Sequence, residues 1–191
     1  MKLRLSQILL IATFLPLCWL GMMALHELGH ILAAWISGGT VTKVVLHPLA
    51  FSRTDVAPNP NPLFVVWCGP LIGVILPLVL CEITRLGWPM AVPYTRFFVG
   101  FALIANGLYL GLGSFQGVGD AGEMLRRGTP IWVLWLFGVA CCATGLLLWN
   151  RIGTAFGLGE AEGKVPNWAV WTSAVALAAL GLVLSLVSER M

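Results

Sequence analysis

Five long apolar stretches in this sequence limit the chain to a fold that crosses a membrane. After a first stretch, Leu5–Ser37, come four runs without Asp, Glu, Lys or Arg: Leu63–Cys81, Phe97–Phe115, Ile131–Trp149 and Trp168–Val187. Each of these four runs is close to the ~20 residues that a helix needs to cross the hydrocarbon core of a bilayer. Of the residues, 59% are hydrophobic and only 10% are charged. We predict an all-α polytopic, multi-pass membrane protein with about five transmembrane helices and a single membrane-embedded domain over residues 1–191.

The first apolar stretch carries three charged or imidazole side chains that need an explanation. Its only charged or imidazole side chains are His26, Glu27 and His30. A charged residue at the centre of a spanning helix costs roughly 2.5–3.5 kcal/mol on insertion scales. Residues four apart share one face of an α-helix, so His26 and His30 can direct imidazole nitrogens to one Zn²⁺. With Glu27 beside them as general base, this is the His-Glu-x-x-His arrangement of zinc proteases.

The same three side chains could instead form hydrogen bonds to neighbouring helices. The chain has only three histidines and eight acidic residues, so the segment His-Glu-Leu-Gly-His is improbable by chance, which favours the metal interpretation. A zinc ion would lower the pKa of its water to about 7 and polarise a carbonyl group. Glu27 would take the proton of that water and pass it to the leaving amine.

The segment after the first span is predicted to form a strand. It follows a glycine pair suited to a helix end, and Thr40–Leu46 is rich in β-branched residues. We expect it to pair with a short strand around Ala50–Thr54 as a β-hairpin; an irregular interfacial loop is the alternative. The edge Val41–Leu46, with Val44 at its middle, is the candidate to hold an extended substrate by main-chain hydrogen bonds.

Asp120 has two interpretations that spacing alone leaves open. The first and third spans run parallel because two crossings separate them, so Asp120 can reach His26 and His30 as the third ligand of a catalytic zinc site. Alternatively, Asp120 and Glu123 form a capping-box-like pattern at the start of a short helix. Glu123 and His47 are further candidates for a third ligand, although a histidine placed like His47 is more often simply interfacial.

Together these motifs resemble the site-2 protease family of intramembrane zinc metalloproteases, in particular its small bacterial-type members without soluble regulatory domains. The resemblance rests on His26–His30, on Gly69-Pro70 in the second span and on Gly119-Asp120 after the third. It implies a three-helix metalloprotease core over residues 5–127, followed by two additional transmembrane helices over residues 131–187. It also implies a bacterial cell membrane as the location.

The resemblance further implies the composition of the site and its reaction. One Zn²⁺ would be held by His26, His30 and Asp120, with Glu27 as base, and a peptide bond within or near a membrane span would be cleaved. The expected partners are a membrane-protein or peptide substrate and the lipid bilayer. The net charge of +3 is too small to indicate nucleic-acid binding.

The sequence departs from the family pattern at two places. The second helix of the family often carries an Asn shortly after Gly-Pro, where this chain has Gly73. Asn106 is the candidate to supply that hydrogen bond to substrate, and an interhelical hydrogen bond is its alternative. Gly69 and Pro70 are also predicted to lie at the substrate. The Asp motif of the family is often preceded by Asn-Pro and followed by Gly, unlike the surroundings of Asp120.

Two other functions are compatible with the same residues. An inactive relative could bind membrane peptides without cleaving them, although an intact Glu27 argues against it. A zinc transporter is less well supported, because it needs a polar path through several helices. Three histidines are too few for a membrane di-iron oxidase. Counting Lys and Arg on the two sides of five spans does not select an orientation.

Overall fold

The computed structural model describes residues 4–47 and 52–190. This part of the chain contains six α-helices and one two-stranded sheet. In chain order they are α1 (Leu5–Ile36), β1 (Val41–Val45), β2 (Arg53–Val56), α2 (Pro62–Gly87), α3 (Val92–Gln116), α4 (Gly119–Arg126), α5 (Ile131–Trp149) and α6 (Asn167–Arg190). Short 3-10 turns precede α3 and connect α5 to α6.

Five of the helices, α1, α2, α3, α5 and α6, are long and apolar enough to cross a membrane. The predicted all-α polytopic class with about five spans is therefore confirmed. Their outer faces carry exposed large side chains, such as Leu147 on α5 and Val175 on α6, as expected for helices surrounded by lipid. Successive spans reverse direction, so the last turns of α1 and α3 lie at the same end of the bundle as the hairpin. We call this the hairpin end.

Helix α3 packs closely against α5 because small residues line their interface. A Cβ atom added at Gly107 of α3 would lie 2.8 Å from the Cβ of Cys141 and 3.0 Å from the carbonyl oxygen of Gly138, both on α5. At Gly111, one turn further along α3, an added Cβ would make an ordinary contact of 3.6 Å. Glycine at position 107 therefore allows the backbones of the two helices to approach.

The predicted β-hairpin is present after α1. Its strands are antiparallel, with Val44 opposite Thr54 and an irregular register between Val41 and Lys43. The second strand begins at Arg53, later than the predicted start; Ala50 and Phe51 lie outside the described residues. Val44 is fully buried in a cluster with side chains of α1, α3 and α6: Leu20, Met22, Met23, Ala102 and Leu184. The hairpin is thus anchored to the bundle through β1.

The α3–α5 contact leads to a stability prediction. Replacing Gly107 with Ala forces a methyl group into the α5 backbone and should destabilise the fold by about 1–3 kcal/mol, the usual cost of overpacking. Gly111→Ala is the matched control, since its methyl group has room. Thermal unfolding in detergent should show a lower Tm for Gly107→Ala only. Equal Tm values for the two variants would contradict the interface described.

Candidate metal centre

The three charged or imidazole side chains of α1 are buried at the contact between α1 and α2. His26, Glu27 and His30 are 7%, 2% and 6% exposed. The two helices approach so closely at Gly29 that a Cβ there would overlap the carbonyl group of Cys68. His30 lies six residues before the last residue of α1, which corresponds to about 9 Å along the helix axis. His30 is therefore nearer to the hairpin end and His26 nearer to the middle of α1, and both lie in the half of the helix toward the hairpin end.

Gly69 makes room for the imidazole rings. A Cβ at this position would overlap the ring of His30 and would lie 3.0 Å from Nε2 of His26. Its neighbour Pro70 is fully buried inside α2. The structure thus gives Gly69 a contact with the two histidines, and it places Pro70 away from the surface that a substrate could reach.

Helix α4 brings Asp120 to the two histidines. Oδ2 of Asp120 lies 2.8 Å from Nε2 of His26 and 3.3 Å from Nε2 of His30. The two Nε2 atoms are 3.1 Å apart. In a tetrahedral zinc site with bonds of about 2.0–2.1 Å, neighbouring donor atoms are roughly 3.3 Å apart. The three donor atoms therefore lie close to three corners of one coordination tetrahedron. To bind a metal ion, they would need to shift by only a few tenths of an ångström.

The structure also decides between the two interpretations of Asp120. The N-cap of α4 is Val118, which makes no side-chain capping bond, and Asp120 lies in the first turn with its carboxylate directed to the histidines. Burial disfavours the charged carboxylate, but the hydrogen bonds with His26 and His30 outweigh this effect and hold the pKa of Asp120 below its usual value. The capping interpretation is wrong, and the side chain is placed as an anionic ligand would be.

The other two candidates for a third ligand are not part of the ligand cluster, although Glu123 lines the same cavity. The carboxylate of Glu123 accepts hydrogen bonds from Arg127 at 2.8 Å and from Arg126 at 3.0 Å. These bonds lower the pKa of Glu123, with that from Arg127 the larger effect. His47 is exposed, just after β1. Among the described residues, neither belongs to the cluster of His26, His30 and Asp120.

Hydrogen bonds to the second ring nitrogens orient both imidazoles. Nδ1 of His26 donates to Oδ1 of Asn106 at 2.7 Å, and Nδ1 of His30 donates to the carbonyl oxygen of Val65 at 2.9 Å. The Asn106 amide donates its own N–H to the Ala102 carbonyl, which leaves Oδ1 as the group facing His26. Both Nδ1 atoms are thus engaged by acceptors, and both Nε2 atoms face Asp120, where each can donate to the carboxylate when it carries a proton or bind a metal when it does not.

Asn106 therefore forms an interhelical hydrogen bond, which was the alternative to a contact with substrate. Its side chain is only 1% exposed. Gly73, at the place where the family often has Asn, adjoins it: a Cβ on Gly73 would lie 3.0 Å from Nδ2 of Asn106. The glycine leaves the space that the Asn106 side chain fills. Direct contact of Asn106 with a substrate stays a prediction.

A cavity of about 1020 Å³ opens beside the cluster of His26, His30 and Asp120. Its polar wall includes His26, Glu27, His30, Asp120 and Asn106, and its apolar wall includes Trp19, Met22, Met23 and Leu108. The hairpin contributes Arg53, Thr54 and Val56, all from β2. The strand next to the site is therefore β2, whereas the side chain of Val44 on β1 lies in the core. Substrate binding at the edge of β1 stays a prediction.

Among the cavity residues that sequence reasoning missed, two carry hydroxyl groups that contact Glu27 and Asp120. The hydroxyl of Thr54 donates a hydrogen bond to Oε2 of Glu27 at 2.7 Å. The hydroxyl of Tyr109 accepts the backbone N–H of Asp120 at 3.2 Å, and its ring meets that of His26 edge-on. Tyr109 follows Asn106 by three residues, a helical spacing that could have indicated a shared face. No comparable signal marks Thr54.

The contact of Gly69 with the histidines generates a test. In Gly69→Ala, the added methyl group displaces the ring of His30, so zinc affinity should fall by about tenfold or more, as expected when the orientation of a ligand is lost. Gly181→Ala is the matched control, because a Cβ at this helical glycine meets no atom within 4 Å. Zinc titration with a competing chelator measures both variants, and equal affinities would contradict the geometry.

Comparisons with known proteins found no match to this chain. No protein-family model matches the chain. No curated protein and no solved structure matches it either.

Proposed function

We propose that this membrane protein is a zinc metalloprotease that hydrolyses a peptide bond within or near a transmembrane segment of another protein. The observation that carries the proposal is the convergence of His26, His30 and Asp120 beside Glu27 in one cavity of a membrane-spanning bundle. Two imidazoles, one carboxylate and a separate glutamate make up the donor set and the base of many catalytic zinc sites. The resemblance to the site-2 protease family supports the same conclusion and a bacterial cell membrane as the location.

The residues of the site divide the chemical work. When bound, Zn²⁺ supplies Lewis acidity, which polarises the scissile carbonyl and makes water a nucleophile near neutral pH. Glu27 accepts the proton of the attacking water and returns it to the nitrogen of the leaving amine. Asn106 and the carbonyl group of Val65 hold the two imidazoles in one tautomer and one orientation.

Substrate binding is assigned to β2. The carbonyl groups of a helical substrate are occupied by its internal hydrogen bonds, so a protease needs an extended segment. In the described part of the chain β2 pairs only with β1, and it lines the metal cavity. An extended substrate segment can add to its free edge through main-chain hydrogen bonds. The apolar wall around Trp19 and Met22 can accept the hydrophobic side chains of a membrane segment.

The same geometry disfavours a zinc transporter. A transporter needs charged or metal-ligating side chains along a path through the bundle. Among the described residues, the buried charged and imidazole side chains of the spans are confined to one segment of α1, in its half toward the hairpin end. A catalytically inactive peptide-binding relative has the same metal ligands, and the role of Glu27 distinguishes it from a protease.

The test of the proposal replaces the general base. Glu27→Gln should retain bound zinc and lose cleavage by about 10²–10⁴-fold, the typical contribution of general acid–base catalysis. Glu82→Gln, an exposed glutamate on α2 that pairs with Arg85, is the matched control and should cleave like the wild type. The assay uses proteoliposomes with single-span membrane proteins, mass spectrometry of the products and elemental analysis of zinc. A zinc-loaded wild-type protein that cleaves none of them supports the inactive relative, and equal cleavage by Glu27→Gln and wild type refutes Glu27 as the base.

A further inference from the structure

Among the described residues, the hairpin makes one side-chain hydrogen bond to α1. Oγ1 of Thr54 donates a hydrogen bond of 2.7 Å to Oε2 of Glu27. Glu27 is 2% exposed and Thr54 is half-buried, so the contact is largely shielded from water. Val44, the residue opposite Thr54 in the sheet, packs in the core and thereby holds β2 in position next to α1.

The hydrogen bond from Thr54 orients Glu27 as hydrogen bonds from other elements orient the two histidines. His26 and His30 are held by Asn106 on α3 and by Val65 on α2. Among the described residues, the only hydrogen bond to the carboxylate of Glu27 is that of Thr54. A glutamate side chain has three rotatable bonds, and a buried hydrogen bond to one of its oxygens removes much of that freedom. Each of the three polar residues of the motif therefore has its own orienting partner.

We propose that Thr54 is a positioning residue, through which the β-hairpin holds the carboxylate of Glu27 at the site of reaction. This inference rests on the proposed function. Oε2 is occupied by the Thr54 hydroxyl, which leaves Oε1 to accept the proton of the attacking water. Thr54 also belongs to the strand to which substrate would add. The same strand therefore sets the position of the base and the register of the peptide, so that the base meets the scissile bond.

Two substitutions at Thr54 separate positioning from packing. Thr54→Val keeps the shape of the side chain and removes the hydroxyl; Thr54→Ser keeps the hydroxyl and removes a methyl group. The matched control is Thr42→Val, because the Thr42 hydroxyl also makes a hairpin hydrogen bond, to the exposed backbone carbonyl of Asp55. Kinetics on a reconstituted single-span substrate and zinc content are measured for all variants.

A positioning role predicts a specific kinetic pattern. Thr54→Val should lower kcat by about tenfold with KM within twofold, because the base is misplaced while the strand edge is intact. Zinc content should stay at the wild-type level, Thr54→Ser should recover most of kcat, and Thr42→Val should have no effect. In the Glu27→Gln background, Thr54→Val should cause no further loss. A rise in KM at constant kcat, failure of Ser to rescue, or equal losses in Thr42→Val overturns the proposal.

A second measurement reports the contact without any proteolytic activity of the protein. Arg53, next to Thr54, is exposed and offers trypsin a cleavage site on the hairpin. Loss of the hydrogen bond should release β2 more often and accelerate trypsin cleavage after Arg53 by about three- to tenfold in Thr54→Val, with Thr54→Ser near the wild type. If the wild-type protein hydrolyses no substrate and trypsin still cuts Thr54→Val faster than the wild type, the proposed function is refuted but the hydrogen bond between Thr54 and Glu27 is supported. Unchanged trypsin cleavage together with unchanged kcat overturns the role of Thr54 itself.

Discussion

The burial of two imidazoles and a carboxylate in the apolar helix α1 is the constraint on which the rest of the structure depends. Polar groups at this depth are costly unless each has a partner. The bundle supplies these partners from four different elements: Asn106 from α3, Val65 from α2, Asp120 from α4 and Thr54 from β2. The elements packed around α1 thus provide the hydrogen bonds that these three buried side chains require.

Small residues allow the partners to come close enough. Helices in a membrane associate through close packing and interhelical hydrogen bonds, since lipid is as apolar as their surfaces. Gly29 brings α1 onto the backbone of α2, and Gly69 leaves the space in which the two rings lie. Gly73 does the same for Asn106. The glycines at these positions of the first and second spans are therefore placed around the polar cluster, where a larger side chain would meet the backbone of α2, the two imidazoles or Asn106.

The parts of the site that follow from periodicity and topology could be predicted from the sequence. The spacing of His26 and His30 places them on one face of any helix, and the parallel direction of the first and third spans brings Asp120 to the same end. The contacts of Asn106 and Gly69 could not be predicted, because they depend on how each helix is rotated about its axis. That β2 is the strand lining the cavity could not be predicted either. Apolar residues occur on both faces of β1, so the sequence does not show that Val44 points into the core.

The central claim is that the three converging side chains form a metal site, and X-ray absorption at the zinc edge tests it most directly. The measurement uses protein purified without chelators and loaded with one equivalent of zinc. We predict a first shell of two imidazole nitrogens and a carboxylate oxygen at about 2.0–2.2 Å, with one imidazole lost in His26→Ala. Zinc that does not remain bound, or a first shell without imidazole, would contradict the account.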